Sequence, residues 1–165
     1  MIELIHTKSC LVFGCGNPLF GDDGFGVEVV TYLHHNHHIP EHAACLDVGT
    51  SIRDFLFDLL LAANKPRQMI IVDAAQCEGK RPGEVFEIDI DEINPKKTSD
   101  FSLHQFPTTN MLKELKTATD MNIRVLVGQT EAIPDEVAPG LSPALTAAVP
   151  EASRLVVKMI GREAT

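Results

Sequence analysis

The chain has 165 residues, a formal net charge of −9 at pH 7 and a hydrophobic content of 44%. This is enough chain for one globular domain with a real core, and a single domain over 1–165 is expected. The acidic balance argues against nucleic acid or an anionic membrane as partner of the bulk surface.

Met1 to Lys8 holds Glu3, His6 and Lys8 with no apolar leader core, so no secretory signal is expected. The longest apolar stretch, Phe55 to Ala63, is interrupted by Asp58 and is too short to span a membrane. None of Cys10, Cys15, Cys45 and Cys77 belongs to a C-x-x-C pair, which removes zinc-knuckle and dithiol redox readings. Buried free thiols in a reducing, cytoplasmic compartment are the expectation.

The first strand is expected at Cys10 to Phe13, a short apolar run that runs straight into glycines. A loop follows with Gly14, Gly16, Gly21 and Gly24 and the adjacent acids Asp22 and Asp23; a helix then runs from about Asp23 to His35. Strand, glycine loop and helix in that order imply a parallel α/β sheet with a site at the strand's carboxyl end. The dinucleotide fingerprint fails, because Leu19 stands where its third glycine belongs and two carboxylates occupy the phosphate position. Asp22 reads as an N-cap and Asp23 as a first-turn acid, or the pair reads as cation ligands. His34 and His38 have an i, i+4 spacing that could hold a metal, but Asn36 and Pro40 argue that the helix breaks between them.

Ala43 to Val48 reads as a strand ending at Asp47-Val48-Gly49-Thr50, with Ser51 or Thr50 as cap of a helix from Ile52 to Ala63. That helix has a clear 3.6-period stripe and stops at Pro66. Met69 to Val72 is a fully apolar, central strand followed directly by Asp73. After the Arg81-Pro82-Gly83 turn, Val85 to Ile90 alternates as a half-wet edge strand, antiparallel to its predecessor. Asn94 to Phe106 is a polar loop with His104, and a helix opens at Thr108 or Thr109 and runs to Ala118. Ile123 to Val127 is a further strand. Ser142 and Pro143 start the last helix, to about Ile160, in which Pro150 implies a kink or break. Three strand ends thus carry acids, Asp22/Asp23, Asp47 and Asp73, and open α/β sheets gather such residues in one crevice. Asp23 and Asp73 are expected to be partly exposed there.

Five ordered motifs carry a resemblance. Gly14-x-Gly16-Asn17-x-Leu19-x-x-Asp22-Asp23-Gly24-x-Gly26 resembles the opening signature of the hydrogenase maturation proteases. Asp47-Val48-Gly49-Thr50 resembles their D-G-G-T, with Val48 replacing a glycine. Ile70-Ile71-Val72-Asp73-Ala74, Ser102-Leu103-His104-Gln105 and Gly140-Leu141-Ser142 resemble the family's apolar strand ending in D-A, its S-x-H-Q and its G-L-S/T. The segment after His104 and the tail resemble the members serving coenzyme F420-reducing hydrogenases.

The resemblance implies a three-layer α/β fold, a twisted and mainly parallel five-stranded sheet flanked by helices on both faces. To this the alternating segment adds one antiparallel edge strand. The resemblance further implies an endopeptidase that removes the C-terminal extension of a nickel-iron hydrogenase large-subunit precursor. Asp23, Asp73 and His104 are implied as metal ligands, the metal being nickel supplied by the precursor, with zinc or cadmium able to substitute in crystals. A cytoplasmic monomer is expected.

Two carboxylates and an imidazole with open positions suit Ni(II) or Zn(II). Such a metal could polarise the scissile carbonyl or acidify a water. No G-x-S-x-G or H-E-x-x-H motif offers another route. An aspartic dyad is the mechanistic rival: Asp22 and Asp23 do not face each other as helical neighbours, whereas Asp23 with Asp73, or Asp47 with either, could form it. The alternative outside catalysis is a metal-dependent binding protein or chaperone for the precursor.

Overall fold

The structure is a computed structural model and describes residues 2–92 and 106–161. Five strands make one sheet: β1 (Cys10–Cys15), β2 (Ala43–Gly49), β3 (Gln68–Ala75), β4 (Val85–Ile88) and β5 (Asn122–Gln129). Five α-helices accompany them: α1 (Ile2–Thr7), α2 (Phe25–Asn36), α3 (Ile52–Leu61), α4 (Phe106–Ala118) and α5 (Pro143–Ile160). The strand order is β2-β1-β3-β5-β4, parallel except for β4, which is antiparallel to β5.

Pleat alternation divides the core into two layers. Leu11, Phe13, Met69 and Ile71 pack with Leu56 and Leu59 of α3 and Leu112 and Leu115 of α4 on one face. Val12, Ile70 and Val72 pack with Phe25, Val30 and Leu33 of α2 and Leu145, Ala152 and Val156 of α5 on the other. Each such aliphatic or aromatic side chain contributes roughly 1.5–3 kcal/mol on burial. This is the expected three-layer fold.

Four details differ from the sequence reading. Helix α1 was not anticipated; it is a short cap that buries Ile5 to 2% exposure. Strand β4 is an edge strand, but its antiparallel neighbour is β5 rather than its predecessor β3. The pair is in register from Val85↔Gly128 to Ile88↔Val125, and Arg124 Nε and Nη2 donate across it to the Glu87 carboxylate at 2.8 Å each. Strand β3 runs on through Asp73 to Ala75, because it is paired with β5 as far as Ala75↔Gln129. Helix α5 is continuous across Pro150. The carbonyl that proline leaves without its usual donor is that of exposed Thr146, on the side where water can satisfy it. No described helix is long and apolar enough to cross a membrane.

From β1 the chain passes to β2 on one side and then to β3 on the other, so the topological switch point lies at the carboxyl ends of β1 and β3.

Candidate functional site

At the switch point the backbones are pressed together. A Cβ on Gly26 would fall 2.1 Å from the Val72 carbonyl oxygen and 2.4 Å from that of Cys15; one on Gly14 would fall 2.4 Å from the Gly26 carbonyl oxygen. Only glycine lets the start of α2 ride so close on β1 and β3. That close approach places the Gly21–Gly24 turn, a 3-10 helix carrying Asp22 and Asp23, over the strand ends.

Gly16 lies against the backbone of Asp23 and near the side chain of Asp73. It has φ +123°, its N–H donates to the Gly49 carbonyl at 2.9 Å, and a Cβ there would overlap the Asp23 carbonyl oxygen. That same Cβ position is 3.6 Å from Asp73 Oδ1. Asp23 is half-buried, and its Oδ2 accepts the Asn17 N–H at 3.0 Å. Asp47 is exposed, and its Oδ1 accepts the Gly49 N–H at 2.9 Å. Asp73 is fully buried rather than partly exposed, since it lies inside β3; its Oδ1 accepts the Ala74 N–H at 2.8 Å.

Cys15 lies beneath them. Burial pushes its thiol well above the ordinary thiol range, and the charges of Asp73, Asp47 and Asp23 push it further in the same direction. It is therefore a neutral, inert floor and offers no thiolate nucleophile.

The remaining sequence expectations resolve as follows. Asp22 is not an N-cap: neither the 3-10 turn nor α2 has a side-chain cap, and Gly24 holds the cap position of α2. Its buried carboxylate instead accepts the N–H groups of Glu131 at 2.9 Å and Ser142 at 2.6 Å. Ser142 caps α5 as expected, with its hydroxyl accepting the Leu145 N–H. Helix α2 ends at Asn36, so the His34/His38 helical pair does not form, and a His34 ring nitrogen bonds the Cys45 carbonyl at 2.8 Å. Among the described residues no three His, Cys, Asp or Glu side chains gather as a metal-binding group. His104 and the Ser102–Gln105 motif lie outside the described residues.

Gln129 makes a structural tie that sequence reasoning did not single out. Its amide accepts from the Cys77 N–H at 3.0 Å and donates to the Cys77 carbonyl at 3.1 Å, tying the segment after β3 to the end of β5. A polar residue closing an apolar strand was the available signal.

An open, mainly parallel α/β sheet with Asp23, Asp47 and Asp73 near the carboxyl ends of its strands defines the class, a doubly wound fold of the kind that binds ligands at its switch point. The hydrogenase maturation protease family model matches residues 27–159, and the chain belongs to that family. It is 35% identical over 157 residues to a Methanocaldococcus jannaschii protein assigned to the same proteases, covering 93% of this chain and 97% of that one. It is 33% identical over 161 residues to the coenzyme F420 hydrogenase subunit delta of Methanothermobacter thermautotrophicus, covering 94% and 97%. The hydrogenase maturating endopeptidase HybD of Escherichia coli superposes with a TM-score of 0.72 at 26% identity, covering 92% of this chain and 91% of that one. By family the chain is a hydrolase, a protease of hydrogenase maturation.

Proposed function

We propose that the chain removes the C-terminal extension of a nickel-iron hydrogenase large-subunit precursor once nickel has been inserted, and that the nickel is what it recognises. The observation that supports this reading is that a fully buried acid, Asp73, and the backbone of a half-buried one, Asp23, both lie against Gly16 at the end of β1. Burying a carboxylate is costly unless it is paired, hydrogen-bonded or directed at a cation. The oxygen donors of Asp23 and Asp73, with an imidazole nitrogen from His104, make a donor set suited to Ni(II) arriving with the precursor.

Holding the substrate's own metal fixes the nearby scissile peptide against the site, and positioning of this kind lowers the barrier without further chemistry. The metal adds polarisation of the carbonyl or acidification of a water. Asp47 has one oxygen tied to Gly49 and lies exposed at the rim, where a carboxylate can take a proton from that water. Its neighbourhood with Asp23 and Asp73 also permits an aspartic-type dyad. The reaction belongs to a monomer in the cytoplasm, in keeping with the free thiols at Cys10, Cys15, Cys45 and Cys77.

The test is to mix the protein with purified nickel-loaded precursor and follow intact mass. Loss of the C-terminal extension is expected, with nickel-free precursor left whole. A lasting complex without mass loss would make the protein a metal-dependent binding protein or chaperone instead. Efficient cleavage of nickel-free precursor would remove nickel as the trigger.

A further inference from the structure

Beside the acid crevice, the segment between β5 and α5 lies against the glycine loop. Phe20 and Ala138 form a parallel bridge. Ala138 N–H donates to the Leu19 carbonyl at 2.8 Å, and Gly21 N–H to the Ala138 carbonyl at 2.9 Å. In a parallel pair, the residues preceding two bridged partners sit side by side on the opposite face. Here those residues are Leu19 and Val137, and they are 49% and 64% exposed. Ile133, on the same segment, is also exposed. The other large hydrophobics exposed among the described residues, Phe57 and Leu61, belong to α3. A groove of about 290 Å³ adjoins the strip, bounded by Gly21, Asp22, Glu131, Pro134, Ala138 and Ser142.

The two segments that form this strip carry charge of one sign. Residues 9–24 and 129–142 contain Asp22, Asp23, Glu131, Asp135 and Glu136 and no Lys, Arg or His. Asp22 is satisfied internally by two N–H groups. Glu131, Asp135 and Glu136 are exposed and make no ion pair among the described residues. Apolar side chains left in water beside unpaired acids suit a partner that is apolar and basic together. A second copy of this chain fits badly, because it would bring the same acids and a further charge of −9.

We propose that Leu19 and Val137, rimmed by Glu131, Asp135 and Glu136, form the docking strip for the C-terminal extension of the precursor, through an apolar segment flanked by Lys or Arg. This deepens the protease reading and rests on it. The strip abuts Asp22 and Asp23 in the same loop, so an extension held there leads directly into the crevice. The acids select and orient the extension, and the apolar pair anchors it.

The test separates docking from cleavage. A fluorescein-labelled synthetic peptide of the extension, from the precursor of the same organism, is titrated with the full chain and followed by anisotropy. The L19S/V137S and E131K/D135K/E136K variants change only exposed side chains, and their melting temperatures confirm folding. Each is expected to bind the peptide at least about tenfold more weakly, with the charge variant also losing the salt dependence of the native chain. In the mass assay both should raise KM and leave kcat unchanged. Variants that lose peptide binding while the native chain cleaves no precursor would uphold the docking strip and overturn the protease reading. Equal peptide binding by native chain and variants would overturn the strip, whatever the cleavage result. So would a peptide with no net positive charge binding equally well, or a dimer of the native chain that L19S/V137S disperses.

Discussion

The Asp22 carboxylate accepts the backbone N–H of Ser142 at 2.6 Å, across 120 residues of chain. Its other oxygen accepts Glu131 N–H at 2.9 Å, so one buried acid joins the glycine loop to both ends of the segment between β5 and α5. Asp23 is its neighbour in the same tight turn, so the placement of Asp23 depends on the long-range bonds that Asp22 makes.

Asp22→Asn is therefore expected to destabilise the protein, which a cap role would not require. Asparagine caps a helix about as well as aspartate, but here its NH2 would be turned toward a backbone N–H, and one charge-assisted bond would become a clash of donors. Hydrogen bonds to charged groups contribute about 1.5–3 kcal/mol. For a domain of this size that corresponds to a fall in melting temperature of roughly 3–10 °C. Thermal unfolding by circular dichroism reads this directly, and an unchanged Tm would mean the two long-range bonds contribute little.

Asp73→Asn is expected to behave in the opposite way. The size of the side chain is preserved, and the amide oxygen can still accept the Ala74 N–H that Asp73 accepts now. Stability should change by less than about 2 kcal/mol. An amide is a poor metal ligand and no base, so precursor cleavage should fall by at least about a hundredfold. Measuring Tm and mass loss on the same sample separates the outcomes. A collapsed Tm with proportionate loss of activity would make Asp73 a tie for the end of β3.

Much of the fold was legible because it rests on local periodicity. The runs at Cys10, Ala43 and Met69 and the stripe from Ile52 give β1, β2, β3 and α3 within a few residues. What was not legible depends on partners distant in sequence. The role of Asp22 is set by N–H groups 109 and 120 residues away. Asp73 looks like a strand-end residue until β5 is seen to extend β3 through it. The neighbour of β4 is β5, with Val85 opposite Gly128 and Ile88 opposite Val125, partners that no local pattern reveals. The switch point between β1 and β3 was legible because the alternation of strand and helix already implied a parallel sheet whose carboxyl ends come together.

Gly26→Ala tests the close packing of α2 on the sheet. The added Cβ would meet the Val72 and Cys15 carbonyl oxygens at 2.1 and 2.4 Å and the Cys15 nitrogen at 2.7 Å, all backbone atoms that cannot rotate aside. Overpacking against side chains costs about 1–3 kcal/mol, and rigid backbone on three sides puts this change at or beyond the top of that range. Gly79→Ala is the control: its Cβ would meet nothing within 4 Å, and only its φ of +79° is strained, at a cost of about 1 kcal/mol. Denaturant unfolding of the two variants is expected to show a severe loss for the first and a mild one for the second. Similar midpoints would mean that α2 can lift from β1 without cost, and that the glycines there are not what positions Asp23.

The buried thiols impose an alkaline limit on stability. Burial pushes Cys10 up from 9.0 to about 11, and burial together with Cys10 pushes Cys45 up to about 12. In the unfolded chain both ionise near 9. A group whose folded value is raised binds its proton more tightly when folded, so its contribution is fully present below pH 9. The contribution is lost as pH climbs from 9 toward 11–12, by up to about 1.4 kcal/mol per pH unit for each thiol. Thermal unfolding is therefore expected to be unaffected by these groups at pH 8 and to weaken progressively above pH 9. In Cys10→Ala/Cys45→Ala the absolute stability at pH 8 falls through lost packing, but the alkaline slope should flatten relative to the native chain. Comparing slopes rather than midpoints keeps the two effects apart. A native slope between pH 9 and 11 no steeper than that of the double variant would show that the thiolates of Cys10 and Cys45 are tolerated in the fold, and that burial does not hold them neutral.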